Sequence, residues 1–152
     1  MSSISYWQTS LGLPSPTPDE PVGDIETALC IVGAGIAGAS AAYWAAQRGL
    51  PAVVLEARQP AMGATGRNAG FVLSGVADNY YRATEKYGRA AARALWQLSI
   101  DNRTLMLDLA EMLGVPCWRS GSLVLAESEE ESEELARSAT LLVEDGFSGH
   151  YD

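Results

Sequence analysis

Apolar positions fall into short unbroken runs early in the chain and into helical stripes later. Leu29 to Val32 and Ala52 to Leu55 are four-residue apolar runs, partly β-branched, of the kind that forms strands buried on both faces. Cys30, inside the first run, is expected to behave as a small core residue. Between the runs, Ile36 to Gln47 predicts a helix, and Gly49 is placed to stop it. Pro51 leads into the second run. Ala28 to Glu56 therefore reads as strand, turn, helix and strand, closing on an acid.

The later pattern is helical. Phe71-Val72-Leu73 predicts a short strand. Asp78 or Asn79 is a candidate cap for a helix carrying Tyr80, Tyr81 and Tyr87, interrupted at Gly88. A longer helix is expected from Ala90 to Leu113, with Leu95, Leu98, Leu105, Leu109 and Met112 on one stripe. Arg93, Asp101, Arg103 and Glu111 fall largely elsewhere, Trp96 and Met106 read as packing residues, and Gly114 and Pro116 end the helix. Val115 to Arg119 and Ser122 to Ala126, around Ser120-Gly121, predict a hairpin. Ser128 begins a last helix, with Glu131 completing a capping box. The acids from Glu129 to Glu134 read as a solvated first turn rather than a cation site. Leu135, Ala139, Leu142 and Val143 form that helix's apolar face, and Gly146 closes it.

The first residues, 1 to 24, form an extension. Pro14, Pro16, Pro18 and Pro21 keep it out of helix. A loosely attached tail is preferred to one pinned by Tyr6 and Trp7.

Composition narrows the partners. The chain of 152 residues is 47% apolar and 19% charged, ordinary for a globular protein with a core. A net charge of −9 argues against nucleic acid and anionic membrane. Two cysteines, Cys30 and Cys117, and one histidine support neither a disulfide framework nor a metal site, and a reducing cytoplasm fits best. Thr27 to Gln47 carries no charge and is long enough to span a bilayer, but it is mostly Ala and Gly around a turn, so a membrane reading is disfavoured.

The turn carries the chemistry. Gly33-Ala34-Gly35-Ile36-Ala37-Gly38 fits G-x-G-x-x-G between a strand and a helix. Gly33 permits the tight turn, Gly35 lets a pyrophosphate approach the backbone, and Gly38 lets helix and sheet pack closely. The N–H groups near Ile36 and Ala37 face the phosphates. Glu56, 21 positions after Gly35, has the spacing of a carboxylate on a ribose hydroxyl and would repel a 2′-phosphate. A glycine-rich turn without a ligand is the alternative. A second small-residue segment, Met62-Gly63-Ala64-Thr65-Gly66-Arg67-Asn68-Ala69-Gly70, can bring backbone N–H groups to a ligand, with Arg67 and Asn68 as donors. Alone, it reads equally well as a flexible connection.

Gly-Ala-Gly-Ile-Ala-Gly, then Val-Val-Leu-Glu-Ala, then Gly-Ala-Thr-Gly-Arg-Asn-Ala-Gly resembles the N-terminal part of the D-amino-acid-oxidase-like FAD-dependent oxidoreductases. Within them it looks most like the glycine-oxidase and γ-glutamylputrescine-oxidase-like amine oxidases. The resemblance implies an α/β fold: a Rossmann-like βαβ FAD-binding unit with its flavin loop over residues 25–77, then the start of an α+β substrate domain over 78–152. It implies that Gly33, Gly35, Ile36, Ala37 and Gly38 line the FAD pyrophosphate. It places Glu56 on the adenosine ribose with Ala57 and Arg58 beside it. Thr65, Gly66, Arg67, Asn68, Ala69 and Gly70 would run along the pyrophosphate and flavin edge. Some relatives link FAD covalently through a histidine in this segment; Arg67 stands there, so non-covalent FAD is expected.

The implied reaction is oxidation of an amine or amino-acid C–N bond with oxygen as acceptor, on a small-molecule substrate. No catalytic residue is named. Members of this family are much longer, so the chain reads as a truncated product or fragment, with uncovered apolar surface open to self-association. His150, near the end, reads as exposed and not catalytic. A stand-alone NAD- or ADP-binding module and an inactive remnant are the other readings.

Overall fold

A computed structural model of the chain describes residues 5–10 and 23–149. The chain divides into two compact units, 1–70 and 71–152. The proline-rich stretch from Leu13 to Pro21 and His150 lie outside the described residues.

In the first unit a short helix α1 (Tyr6–Ser10) precedes β1 (Leu29–Val32), α2 (Ile36–Gln47) and β2 (Ala52–Leu55). The strands are parallel, Leu29 opposite Ala52 and Val32 opposite Leu55. Gly33 N–H extends the ladder to the Leu55 carbonyl at 2.7 Å. Helix α2 stops as its sequence dictates. Gly49 turns left-handed at φ 65°, and the N–H groups of Gly49 and Leu50 donate to the carbonyls of Ala46 and Ala45.

The expectation that both strands are buried on both faces is corrected. Ile31 is buried, whereas Cys30, Val32 and Leu55 are exposed. Side chains alternate across a strand, and α2 packs on one face of this two-stranded sheet. Ile31 points at α2; Cys30 and Val32 point away, so Cys30 is no core residue.

The extension also differs from expectation. In its described part, residues 5–10 are helical and attached and not a loose tail: α1 packs against a 3-10 turn at Ala64–Arg67, and Trp7 fits against Gly70.

The second unit is helical: α3 (Tyr80–Tyr87), α4 (Arg89–Met112) and α5 (Glu129–Glu144). Asn79 caps α3, its side-chain oxygen accepting Arg82 N–H at 2.9 Å. Gly88, at φ 81°, separates α3 from α4. Helices α4 and α5 close on Gly114 and Gly146 with the same pair of bonds that ends α2. Ser128 caps α5 by accepting Glu131 N–H, while the Glu131 carboxylate takes the Glu127 N–H at 2.8 Å, one residue before the predicted partner.

The core of this unit is Tyr80, Ala83 and Ala92, with Trp96, Leu141, Leu142 and Phe147 around them. Trp96 stacks edge-on to Tyr80, as a packing residue should. The Tyr80 hydroxyl donates to Asp145 at 2.6 Å, and Arg89 pairs with Asp145 and Glu144.

Three further expectations are corrected here. Residues 71–73 form no strand, and neither do 115–126. The alternating apolar residues Trp118, Leu123 and Leu125 stand exposed, because a strand needs a neighbour to take its N–H and C=O groups. In α4, the packed side carries Ala92 and Trp96, while of the predicted stripe Leu95, Leu98 and Met112 are exposed and Leu105 and Leu109 half-buried; Met106, expected to pack, is exposed as well. The helix has two apolar sides, and α3 takes the one the predicted stripe does not occupy. Among the described residues no helix is long and apolar enough to cross a membrane; Thr27 to Gln47 is divided into strand, turn and helix.

Candidate functional site

The site forms in the first unit, where β1 runs into α2. Gly33 takes φ 96°, open to glycine at little cost. A Cβ on Gly38 would run into the Gly33 carbonyl oxygen, so only glycine allows the first turn of α2 to lie so close to the loop. Gly35 precedes the helix with extended backbone, leaving the first N–H groups of α2 without intrahelical acceptors.

The second segment returns to this turn. Ala61 N–H donates to the Ala34 carbonyl at 3.0 Å, and Ala61 itself adopts φ 62°, unusual for a residue with a side chain. Thr65 accepts Ile36 N–H on its hydroxyl oxygen at 2.9 Å. A Cβ on Gly35 would lie 3.2 Å from that oxygen. Gly66 must be glycine too, since a Cβ there would meet the Ala61 carbonyl. Arg67 Nε donates to the Gly63 carbonyl at 3.2 Å. Asn68 bonds the loop's own backbone: its amide donates to the Thr65 carbonyl at 2.7 Å, and its oxygen accepts Gly70 N–H at 2.8 Å. These two side chains thus build the loop in addition to lying on it. Ala69 is exposed beside them.

Glu56, at the end of β2, is drawn to the same turn. One carboxylate oxygen accepts Ala34 N–H at 2.8 Å, the other Arg58 N–H at 3.0 Å. These bonds, the Ala34 one foremost, hold its pKa below the ordinary carboxylate value. Each oxygen still has capacity to accept a hydroxyl donor. Ala57 and Arg58 are exposed next to it.

Every predicted site residue therefore lies in this unit, and direct hydrogen bonds tie Ala34 to Glu56 and Ile36 to Thr65. The sequence reading missed the contribution of Ser5, Gln8 and Ala61, and set Trp7 aside as an anchor. Ser5-Tyr6-Trp7-Gln8 did carry a signal, the S-x-x-Q capping box that starts a helix.

The arrangement suits the pyrophosphate and ribose of a dinucleotide. The approach at Gly35 is free of side chains, Ala37 has a helix-start N–H and a carboxylate lies one strand away, whereas the Ile36 N–H, expected to face the phosphates, is taken by Thr65. The second segment meets the same helix end through Thr65.

Comparison with known proteins agrees with this. The family described as DAO, FAD dependent oxidoreductase, matches residues 28–150. A probable oxidoreductase OrdL of Haemophilus influenzae is 31% identical over 117 residues, covering 76% of this chain and 27% of that protein. Gamma-glutamylputrescine oxidoreductase of Escherichia coli is 29% identical over 104 residues, covering 68% and 24%. The chain spans about a quarter of the length of these two relatives. The A subunit of the anaerobic glycerol-3-phosphate dehydrogenase of Haemophilus influenzae is 44% identical over 65 residues, covering 41% and 12%. No solved structure matches significantly. With a match running through both units, the chain belongs to the DAO family of FAD-dependent oxidoreductases.

Proposed function

We propose that this chain is the FAD-holding N-terminal portion of an oxidoreductase that oxidises an amine or amino-acid C–N bond, with oxygen as acceptor. The observation that carries the reading is the bond from Ile36 N–H to Thr65, which brings two glycine-rich segments to one helix end. Gly33, Gly35, Ile36, Ala37 and Gly38 would line the pyrophosphate of FAD, with Ala37 offering its helix-start N–H; the N–H groups of Gly33 and Ile36 are already taken by the Leu55 carbonyl and the Thr65 hydroxyl. Glu56 would accept the ribose hydroxyls, and residues 65–70 would lie along the pyrophosphate toward the flavin. FAD supplies hydride acceptance from the carbon beside nitrogen. The chain's own residues bind and orient. Arg67 stands where some relatives carry a linking histidine, which favours bound, unlinked FAD. The amine class rests on the relative named gamma-glutamylputrescine oxidoreductase.

The βαβ unit is in this reading the first part of a Rossmann-like cofactor fold, and the helical second unit the start of a substrate domain. Titrating the purified chain into FAD and following flavin fluorescence tests the cofactor assignment. Saturable quenching that excess NAD does not reverse is expected. Binding of NAD in preference to FAD would refute it.

A further inference from the structure

Among the described residues, the side-chain bonds of α1 and of Ser5 before it run within that turn and to the loop at 62–70. Ser5 and Gln8 form a reciprocal cap: Ser5 N–H donates to the Gln8 side-chain oxygen at 3.0 Å, and Gln8 N–H donates to the Ser5 hydroxyl at 3.2 Å. The same two side chains reach across to the loop. The Ser5 hydroxyl donates to the Gly66 carbonyl, and the Gln8 amide donates to the Met62 carbonyl at 3.3 Å. Trp7 Nε1 donates to the Asn68 carbonyl at 3.0 Å. The Trp7 ring lies so close to Gly70 that a Cβ there would approach Cζ2 to 2.5 Å.

Each of these bonds takes a loop carbonyl. A loop that is to present N–H groups to an anion must turn its carbonyl oxygens away, since each oxygen carries partial negative charge. Three carbonyls, of Met62, Gly66 and Asn68, are taken by α1. The Thr65 hydroxyl meets the start of α2. The loop is held between two helices, with the carbonyls of Met62, Gly66 and Asn68 committed to α1 and to Ser5 before it.

We infer that α1 is a latch: Ser5, Trp7 and Gln8 fix residues 62–70 in the conformation that receives the cofactor. A five-residue helix has no stability of its own in water, so it persists through this docking. The role rests on the FAD reading above, but the latch itself is a property of the free protein. Ser5, Trp7 and Gln8 are positioning residues that touch no cofactor.

The test uses the full chain with Trp7→Ala, Trp7→Phe and Ser5→Ala, and two readouts. In the absence of FAD, tryptic cleavage after Arg67 reports loop fixation. Quenching of flavin fluorescence reports the dissociation constant for FAD. None of the α1 residues is buried, so the variants keep the fold. Trp7→Ala is expected to speed cleavage after Arg67 several-fold and to weaken FAD binding roughly tenfold, the scale of a lost hydrogen bond with its packing. Trp7→Phe, which keeps an aromatic side chain but loses the indole N–H, and Ser5→Ala fall between it and the parent chain. Unchanged cleavage in Trp7→Ala overturns the latch. Faster cleavage with unchanged FAD affinity overturns it as well, since the fixed loop would then not serve the cofactor. If the parent chain binds no FAD, the functional reading fails, and the cleavage rates alone decide whether α1 fixes the loop.

Discussion

The Thr65 hydroxyl oxygen sits 2.9 Å from the Ile36 nitrogen and takes its N–H, 29 positions back along the chain. This bond ties the second glycine-rich segment to the start of α2, so that both face the remaining helix-start N–H groups. Thr65→Val keeps the shape and removes the acceptor. Its expected effect is a loss of about 1 kcal/mol, seen as a roughly fivefold higher FAD dissociation constant, while Thr65→Ser stays near the parent value. Calorimetric titration of the three proteins checks this.

Gly35 and Gly38 separate ligand binding from folding. At Gly35 an added Cβ meets only the Thr65 hydroxyl, so Gly35→Val should fold but displace Thr65 and fill the phosphate approach. FAD binding is expected to disappear with the urea midpoint little changed. At Gly38 a Cβ meets backbone, which cannot give way. Gly38→Ala should cost about 1–3 kcal/mol in stability, the usual scale of overpacking, and lose FAD as a consequence. Equal stability of Gly38→Ala and the parent chain would contradict the packing described.

Glu56 gives a pH dependence. Its pKa is lowered, first by the Ala34 N–H and then by that of Arg58. A carboxylate with a depressed folded-state pKa contributes stability above its ordinary value and loses it as pH falls through the lowered one. Loosening of the turn, and with it of FAD, is therefore expected only on acidification below the ordinary carboxylate range. Glu56→Gln should bind FAD more weakly at neutral pH and lose that acid dependence. Affinity measured against pH for both proteins is the check.

Tyr80 gives the opposite sign in the second unit. Burial, then its bond to Asp145, pushes its pKa up to about 12 from 10.0. The stability it contributes is whole below pH 10 and lost as pH rises toward about 12. Asp145 lies below its ordinary value through Arg89 and Tyr80, so its own contribution is lost in acid. Tyr80→Phe should cost about 1.5–3 kcal/mol at neutral pH, the range for a hydrogen bond to a charged group, and should flatten the alkaline limb. Urea unfolding across pH, followed by helical circular dichroism, measures both.

What the sequence revealed depended on how local each signal was. Strands β1 and β2 and helix α2 fall at the predicted residues, because apolar runs, the glycine turn and Gly49 act within a few positions. The cap at Ser128 was legible for the same reason, and that of α3 to within Asp78 or Asn79, of which Asn79 serves. The hairpin at 115–126 was not realised, since Val115, Leu123 and Leu125 carry strand propensity without a paired neighbour. Periodicity could not choose between the two apolar sides of α4; contact with Tyr80 and Ala83 decides for Ala92 and Trp96. At the site, the glycines and Glu56 were readable from spacing. The attachment of Trp7 to Gly70 was not, because it joins positions 63 apart through shape alone.

Amide hydrogen exchange on the full chain, with and without FAD, tests the central claim most directly: two glycine-lined segments grip one cofactor through main-chain N–H groups. The prediction is slowed exchange on FAD addition at both Ala34 to Gly38 and Thr65 to Gly70, with the same concentration dependence. Protection confined to one segment, or found elsewhere in the chain, would contradict it.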